Sequence, residues 1–347
     1  MFSYDDLTAP IVGAPMAGGP TTPELVAAVS NAGGLGMLAA GYYSPKQIEA
    51  DVLAVLKLTD KPFGVNLFSP TEPGENPEDA EALLLKYREA LAPVGEKFGV
   101  DLLKYELDIP DYYQANVDWL VENPVPVVTF TFGCPTVETI QRLQSVGTCV
   151  GVTVTKVADA ELSASRGVNF QAVQGPDAGG HQSTFRVQDD VNELPLEELV
   201  PAVREVCALP LVAGGGVSGA EDVKHLLDLG AVAVQVGSLL LLCEEAGTNE
   251  VYRKALLNPE YSATRITRAF TGRPARALVN DFVREFDEIA PAVYPHLHYL
   301  TAPLRTAAKK AGDESLINLW SGTGLNNLRN TSVPEVIKRI LSSNPNL

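Results

Sequence analysis

Short apolar runs alternate along most of this chain with longer stretches in which apolar residues recur every three or four positions. That alternation predicts strand–helix–strand order and therefore a parallel sheet. Strands are expected at residues 10–17, 35–40, 61–68, 125–131, 148–155, 169–174, 210–213 and 231–236. Each is a nearly continuous apolar run, which is the pattern of a strand buried on both faces. Between them the helical period recurs. Thr22 caps a first helix with Pro23 in its opening turn, Leu25, Val26, Val29 and Ala32 form its stripe, and Gly33-Gly34 stops it. Further helices are predicted over 45–58, 77–98, 136–146, 158–166, 196–207 and 220–229.

Eight strand candidates with intervening helices over about 240 residues match a TIM (β/α)8 barrel. An open doubly wound sheet is the other arrangement of this alternation, but no Gly-x-Gly-x-x-Gly follows the first strand. The organisation expected is a barrel over residues 1–244, with an insertion near 99–124. Residues 245–347 read as helices and loops, with helical stretches at 251–257, 278–289, 301–312 and 332–342. Some of that region, with the insertion, is expected over the open face of the barrel, and some to complete it. A polar stretch with three prolines at 69–79 separates the third strand from the next helix.

Charge and composition narrow the partners. Lys and Arg total 26 against 43 Asp and Glu, a formal charge of −17. So acidic a chain lacks the clustered cations that nucleic acid or an anionic membrane surface requires. The longest apolar run, 239–243, is far short of a membrane span. The four cysteines, Cys134, Cys149, Cys207 and Cys243, are widely spaced, which suits neither a metal site nor a disulfide framework. With no basic leader followed by an apolar run at the N-terminus, a cytoplasmic protein with reduced thiols is expected.

In such a barrel the chemistry sits where the strands end at their C-terminal side. Glycine runs follow the seventh and eighth strands at Gly214-Gly215-Gly216 and Gly237-Ser238. Either alone reads as a tight turn. Together, in these ordinal positions, they point to a phosphate site in which backbone N–H groups approach an anion unhindered by a Cβ. The helix that follows from Gly219 is expected to add its N-terminal dipole. Asn66 and Gln174 place polar amides at the ends of apolar strands. A bound heterocycle would satisfy them, and so would a neighbouring loop.

The sharpest feature is Gln174-Gly-Pro-Asp-Ala-Gly-Gly-His181. Three glycines bring the backbone close to something, and the histidine that follows can exchange a proton near neutral pH. His225 reads as a helix-surface residue. His296 and His298 lie in an aromatic stretch and either line a pocket or pack. Cys134 follows the fourth strand and reads as a pocket-wall residue rather than a nucleophile, because no base accompanies it.

Taken in order, Ala14-Pro-Met-Ala-Gly-Gly19, Asn31-Ala-Gly-Gly-Leu-Gly36, Lys61-Pro-Phe-Gly-Val-Asn66, the Gln174–His181 segment, Gly214 to Val217 and Val234-Gln-Val-Gly-Ser238 resemble the nitronate monooxygenase family. Leu319-Trp-Ser-Gly-Thr-Gly-Leu325 is similar to the closing motif of its class I members. The resemblance implies a TIM barrel holding FMN, and oxidation of alkyl nitronates such as propionate 3-nitronate by O2 to carbonyl compounds and nitrite. Carried over by position, Met16, Asn66, Gln174, Gly179, Gly180, Gly215, Gly216, Gln235, Gly237 and Ser238 would contact FMN. His181 would be the catalytic residue, as a base or as the group that orients the nitronate. Tyr113, Cys134, Tyr294 and Tyr299 are the candidates for a substrate pocket, and Tyr112 lies beside them. No metal is implied, and homodimerisation stays open. Gln182-Ser183-Thr184 departs from the basic residue and glycine that commonly follow the histidine. A related family, the FMN-dependent enoyl-ACP reductases using NAD(P)H, shares the Ala-Gly-Gly-His segment and the glycine loops. The segment Thr131-Phe-Gly-Cys-Pro135 and the tail around Trp320 favour nitronate chemistry.

Overall fold

The computed structural model describes residues 2–70 and 74–342. Residue 1, residues 71–73 of the expected polar stretch and the last five residues of the C-terminal region lie outside the described residues. Eight parallel strands form one sheet: β1 (Ile11–Gly13), β2 (Gly36–Ala39), β3 (Phe63–Phe68), β4 (Val127–Thr131), β5 (Cys149–Val154), β6 (Phe170–Gln174), β8 (Leu211–Gly214) and β9 (Ala233–Val236). Their order is β1-β9-β8-β6-β5-β4-β3-β2. The ring closes where Gly13 N–H donates to the Leu35 carbonyl and Leu35 N–H to that of Ile11, both at 2.9 Å. All eight strands expected from the apolar runs are present, and the fold is a TIM barrel.

The strands are short, and their side chains are mostly Val, Leu, Ile, Phe and Ala, nearly all fully buried. The helices α1 (Pro23–Asn31), α2 (Pro45–Leu58), α5 (Val137–Ser145), α6 (Val157–Ser165), α7 (Leu196–Val206) and α8 (Ala220–Asp228) lie between strands as expected. Thr22 caps α1 by accepting from Leu25 N–H at 3.0 Å.

Two elements redraw the periphery. The stretch expected as an insertion holds α4 (Tyr113–Glu122), which packs between α2 and α5 in the outer ring. The helix α3 (Ala80–Lys97) instead leaves the ring. It turns Leu84, Tyr87 and Leu91 toward a second apolar core, and Tyr87 Oη donates to the Ala269 carbonyl at 2.7 Å. That second core is made by α9 (Glu250–Leu257), α10 (Asp281–Phe286) and α11 (His296–Ala311) around Phe270, Phe282, Leu297 and Leu300. The final helix, α12 (Val333–Leu341), returns to pack on α1 and α8 through Val333, Val336, Ile337 and Ile340.

The region after residue 244 is not only helices and loops. A three-stranded antiparallel sheet joins β10 (Thr264–Thr267), β11 (Ala275–Leu278) and the two-residue β7 (Gly180–His181). Leu278, expected to open a helix, ends a strand, and α10 starts only at Asp281, capped by Asn280. In register, His181 stands opposite Ala275 and Gly180 opposite Arg276. The histidine is thus tied to a segment over ninety residues further along the chain. No helix among the described residues is long and apolar enough to cross a membrane.

Candidate functional site

Strand register sets the floor of the site. Asn66 pairs with Ala39 and Thr129, Gln174 pairs with Gly214, and Gly214 pairs with Gln235. Three amide side chains therefore share one rim, at the C-terminal ends of the strands. Above it lies a cavity of about 530 Å³, within the usual range of small-molecule sites. Its wall includes Met16, Asn66, Gln174, Gly179, Gly180, His181, Gly215, Gly216, Gln235, Gly237, Ser238 and Tyr299.

One side of the cavity is main chain. Gly215 (φ 132°) and Gly216 (φ 75°) sit in backbone conformations that favour glycine. A Cβ on Gly215 would lie 3.0 Å from the Gly175 carbonyl oxygen, so the two loops meet closely there. The N–H groups of Gly215, Gly216 and Gly237 donate to no acceptor among the described residues. Unpaired donors facing a cavity invite an anion. The helix α8 does not contribute the dipole expected of it: Ser218 N–H and Gly219 N–H both donate to its own Asp222 Oδ2, at 2.7 and 3.1 Å. The segment 320–324 supplies a lid over this rim. Gly322 N–H donates to Ser238 Oγ at 2.9 Å, and Thr323 N–H to the Asp177 carbonyl at 3.2 Å.

Another part of the wall is made of side chains. The His181 ring meets Phe132 edge-on at 5.3 Å and Trp320 at 5.4 Å, and its Nε2 lies 2.9 Å from Thr271 Oγ1. Burial, then the charges of Arg273 and Arg305, push its pKa down to about 3, so the imidazole is neutral at ordinary pH. Phe132 has φ 71°, a conformation costly for a bulky residue. Its N–H donates to Ser183 Oγ at 3.2 Å, and the Arg273 guanidinium lies 4.4 Å above its ring. Arg273 is fully buried, donates to the Thr184 carbonyl at 2.9 Å and stands 3.8 Å from Glu75. Gln182-Ser183-Thr184 are all buried, so the departure after the histidine builds the support for Phe132 and Arg273.

The two amides singled out earlier are bonded within the chain while lining the cavity. Asn66 Nδ2 donates to Thr129 Oγ1 at 2.9 Å and Thr131 Oγ1 at 3.0 Å. Gln174 Nε2 donates to the His181 carbonyl at 3.0 Å, and its Oε1 accepts from Ser183 N–H at 2.8 Å. Gln174 is thus the brace of the histidine loop.

Three residues expected in a substrate pocket stand outside the cavity wall. Tyr113, in α4, packs against the barrel core with its ring 6.3 Å from that of Phe130. Tyr294 is buried behind the wall, 5.5 Å from Phe132 and with its hydroxyl 3.5 Å from that of Tyr42. Cys134 is half-buried beside Arg166, which binds its carbonyl, and burial pushes its thiol up to about 11. Of the other histidines, His225 is exposed and His296 half-buried. His298 lines the cavity, stacked on Tyr42 at 4.2 Å. Sequence reading missed Tyr42, Thr271, Arg305 and Asn318 as wall residues. Arg305 is the one formally charged side chain among the described residues of the wall. It is held by Thr301, Asn318 and the His298 carbonyl at 2.8–3.1 Å, and burial lowers its pKa to about 10. No local pattern marks these residues, since each reaches the site by tertiary packing.

The sequence model of one family, described as nitronate monooxygenase, matches residues 4–343. A probable nitronate monooxygenase of Bacillus subtilis (strain 168) is 32% identical over 337 residues, covering 96% of this chain and 95% of that protein. One from Staphylococcus aureus (strain Newman) is 35% identical over 324 residues, covering 90% and 88%. Among solved structures, a nitroalkane oxidase from Streptomyces ansochromogenes superposes with TM-score 0.89 at 39% identity, over 97% of this chain and 95% of that one. FabK from Thermotoga maritima superposes with TM-score 0.74 at 25% identity, over 97% and 93%.

Proposed function

Because this chain belongs to the nitronate monooxygenase family, we propose that it oxidises alkyl nitronates, such as propionate 3-nitronate, with O2 to carbonyl compounds and nitrite, using FMN held over the barrel. The observation that carries this reading is one cavity with unpaired glycine N–H donors and a half-buried, neutral imidazole in its wall. The site fits the cofactor. Gly215, Gly216, Gly237 and Ser238 would hold its phosphate, and Met16, Asn66, Gln174, Gly179, Gly180 and Gln235 would border its ring. FMN, when bound, supplies the electron acceptor and the centre that meets O2.

The chain's own residues bind and move the proton. His181, uncharged at neutral pH, has a bare ring nitrogen that can accept a proton from a neutral nitroalkane, although the burial that keeps it neutral also weakens it as a base. A substrate already present as the nitronate needs no such base, so there His181 orients it. Arg305 provides positive charge in the wall for the anion, and Tyr299 and Tyr112 also line the cavity. The four cysteines are free thiols, which suits the reducing cytoplasm.

The test is His181→Asn in FMN-loaded protein. The visible flavin spectrum should be retained while turnover of neutral nitroethane is largely lost, and an unchanged rate would remove His181 from the reaction. The alternative, an FMN-dependent enoyl-ACP reductase, has only the weaker of the two structural likenesses behind it. It predicts fast anaerobic flavin reduction by NADPH, which the nitronate reading does not.

A further inference from the structure

A neutral imidazole has one proton and two nitrogens, and only the bare nitrogen is a base. Hydrogen bonding around His181 decides which nitrogen that is. Its Nε2 lies 2.9 Å from Thr271 Oγ1. The threonine hydroxyl owns a single proton, which can go to Nε2 or elsewhere. Elsewhere is at hand: Thr271 Oγ1 also lies 3.3 Å from the backbone carbonyl oxygen of Arg273 in donor geometry. Arg273 is fully buried, and among the described residues that carbonyl receives no other hydrogen bond. A buried carbonyl left unpaired is unfavourable. The hydroxyl proton therefore belongs to Arg273, and the hydroxyl oxygen is free to accept from Nε2–H. On the other side of the ring, Nδ1 makes no hydrogen bond among the described residues and is not among their buried polar atoms left without a partner, so it opens to the cavity.

The local chain holds this arrangement firmly. Thr271 is only 1% exposed. It lies in the turn between β10 and β11, where Gly272 has φ 84° and a Cβ would stand 2.4 Å from the Val293 carbonyl oxygen. The N–H groups of Thr271 and Gly272 both donate to the Arg268 carbonyl, at 3.2 and 2.9 Å. A few residues on, Ala275 pairs with His181 itself. Turn and imidazole are therefore in register with each other.

We infer that Thr271 is a positioning residue that fixes His181 as its Nε2–H tautomer, so that Nδ1 is the atom that takes a proton from a neutral nitroalkane. In that step the proton leaves the carbon bearing the nitro group and bonds to Nδ1. The C–H electron pair stays with the substrate, which becomes the nitronate anion. The ring becomes an imidazolium whose Nε2–H still donates to Thr271. The identity of the proton donor rests on the function proposed above; the tautomer does not.

The experiment is a long-range 1H–15N correlation spectrum of histidine-labelled, FMN-loaded protein, with His181→Asn used to assign the His181 signals. The expected result is a neutral ring protonated at Nε2 in the native protein and in Thr271→Ser. In Thr271→Val that preference should be lost. A second arm compares neutral nitroethane with its preformed nitronate. Thr271→Val should lower kcat/KM for nitroethane about tenfold, the scale of one hydrogen bond, and leave the nitronate nearly unchanged, with Thr271→Ser restoring the native ratio. A native ring protonated at Nδ1, or the same tautomer in Thr271→Val, overturns the assignment. So does an equal loss on both substrates. If His181→Asn keeps full nitroethane turnover, Nδ1 is not the proton acceptor, and the spectrum still judges the tautomer separately.

Discussion

The glycine rim after β8 and β9 and the wall around His181 border one cavity but are made of different material. The rim works through the main-chain N–H groups of Gly215, Gly216 and Gly237, and at Gly215 and Gly216 the positive φ asks for the absence of a side chain. The histidine wall works through a side chain kept neutral by burial and then by the charges of Arg273 and Arg305, which come from far along the chain. Damage to the rim should therefore act on cofactor retention. Damage to the wall should act on proton transfer and leave the cofactor in place. That separation is open to attack from both sides.

The largest effect is expected on the wall. His181→Asn should cut turnover of neutral nitroethane on the order of 100-fold or more with flavin content unchanged, read by steady-state kinetics and the visible spectrum. Next comes the rim. Gly215 has φ 132°, and a Cβ on it would lie 3.0 Å from the Gly175 carbonyl oxygen. Gly215→Ala must strain or shift the rim backbone, costing about 1–3 kcal/mol of stability and releasing flavin, as Tm and flavin content would show. Equal flavin loss in both variants would dissolve the distinction between the two halves.

A pH effect sharpens the comparison further. The folded protein keeps His181 neutral down to about pH 3, whereas the unfolded chain takes up a proton below about 6.5. Acid thus favours the unfolded chain, and this contribution to stability, fully present above pH 6.5, is lost progressively as pH falls toward 3. Each such histidine costs up to about 1.4 kcal/mol per pH unit in that window. Urea unfolding at pH 7 and 5.5 should show His181→Asn losing less stability than the native protein. The smallest effect is Ser238→Ala, which removes the acceptor of Gly322 N–H and should weaken FMN binding about three- to tenfold, measured by titration of the apoprotein.

The barrel and the rim were legible because their signals are local. Apolar runs separated by helical periods specify the strands, and the ordinal positions of Gly214 to Gly216 and Gly237-Ser238 specify the rim. What escaped depends on contacts between distant segments. Strands β10 and β11 are four residues each and carry Arg265 and Arg276, and β7 is two residues long, so none has a period to detect. The ring helix α4 was hidden in a polar, proline-broken stretch. The dipole expected from α8 is absorbed by Asp222, a residue whose capping role depends on how the turn closes. Among the tyrosines named for the pocket, Tyr299 lines the cavity while Tyr113 and Tyr294 stand outside its wall, and Tyr42 joins it; packing, not local pattern, decides which. Phe132 with its positive φ and Arg273 beneath no neighbouring motif could be found only in three dimensions.

The most direct measurement is oxygen uptake with nitrite release by the FMN-loaded protein on propionate 3-nitronate. The account predicts saturable O2 consumption with nitrite formed and no stimulation by NADPH. Protein that takes up no FMN, or that consumes no O2 on this nitronate while NADPH rapidly bleaches its flavin without air, would contradict it.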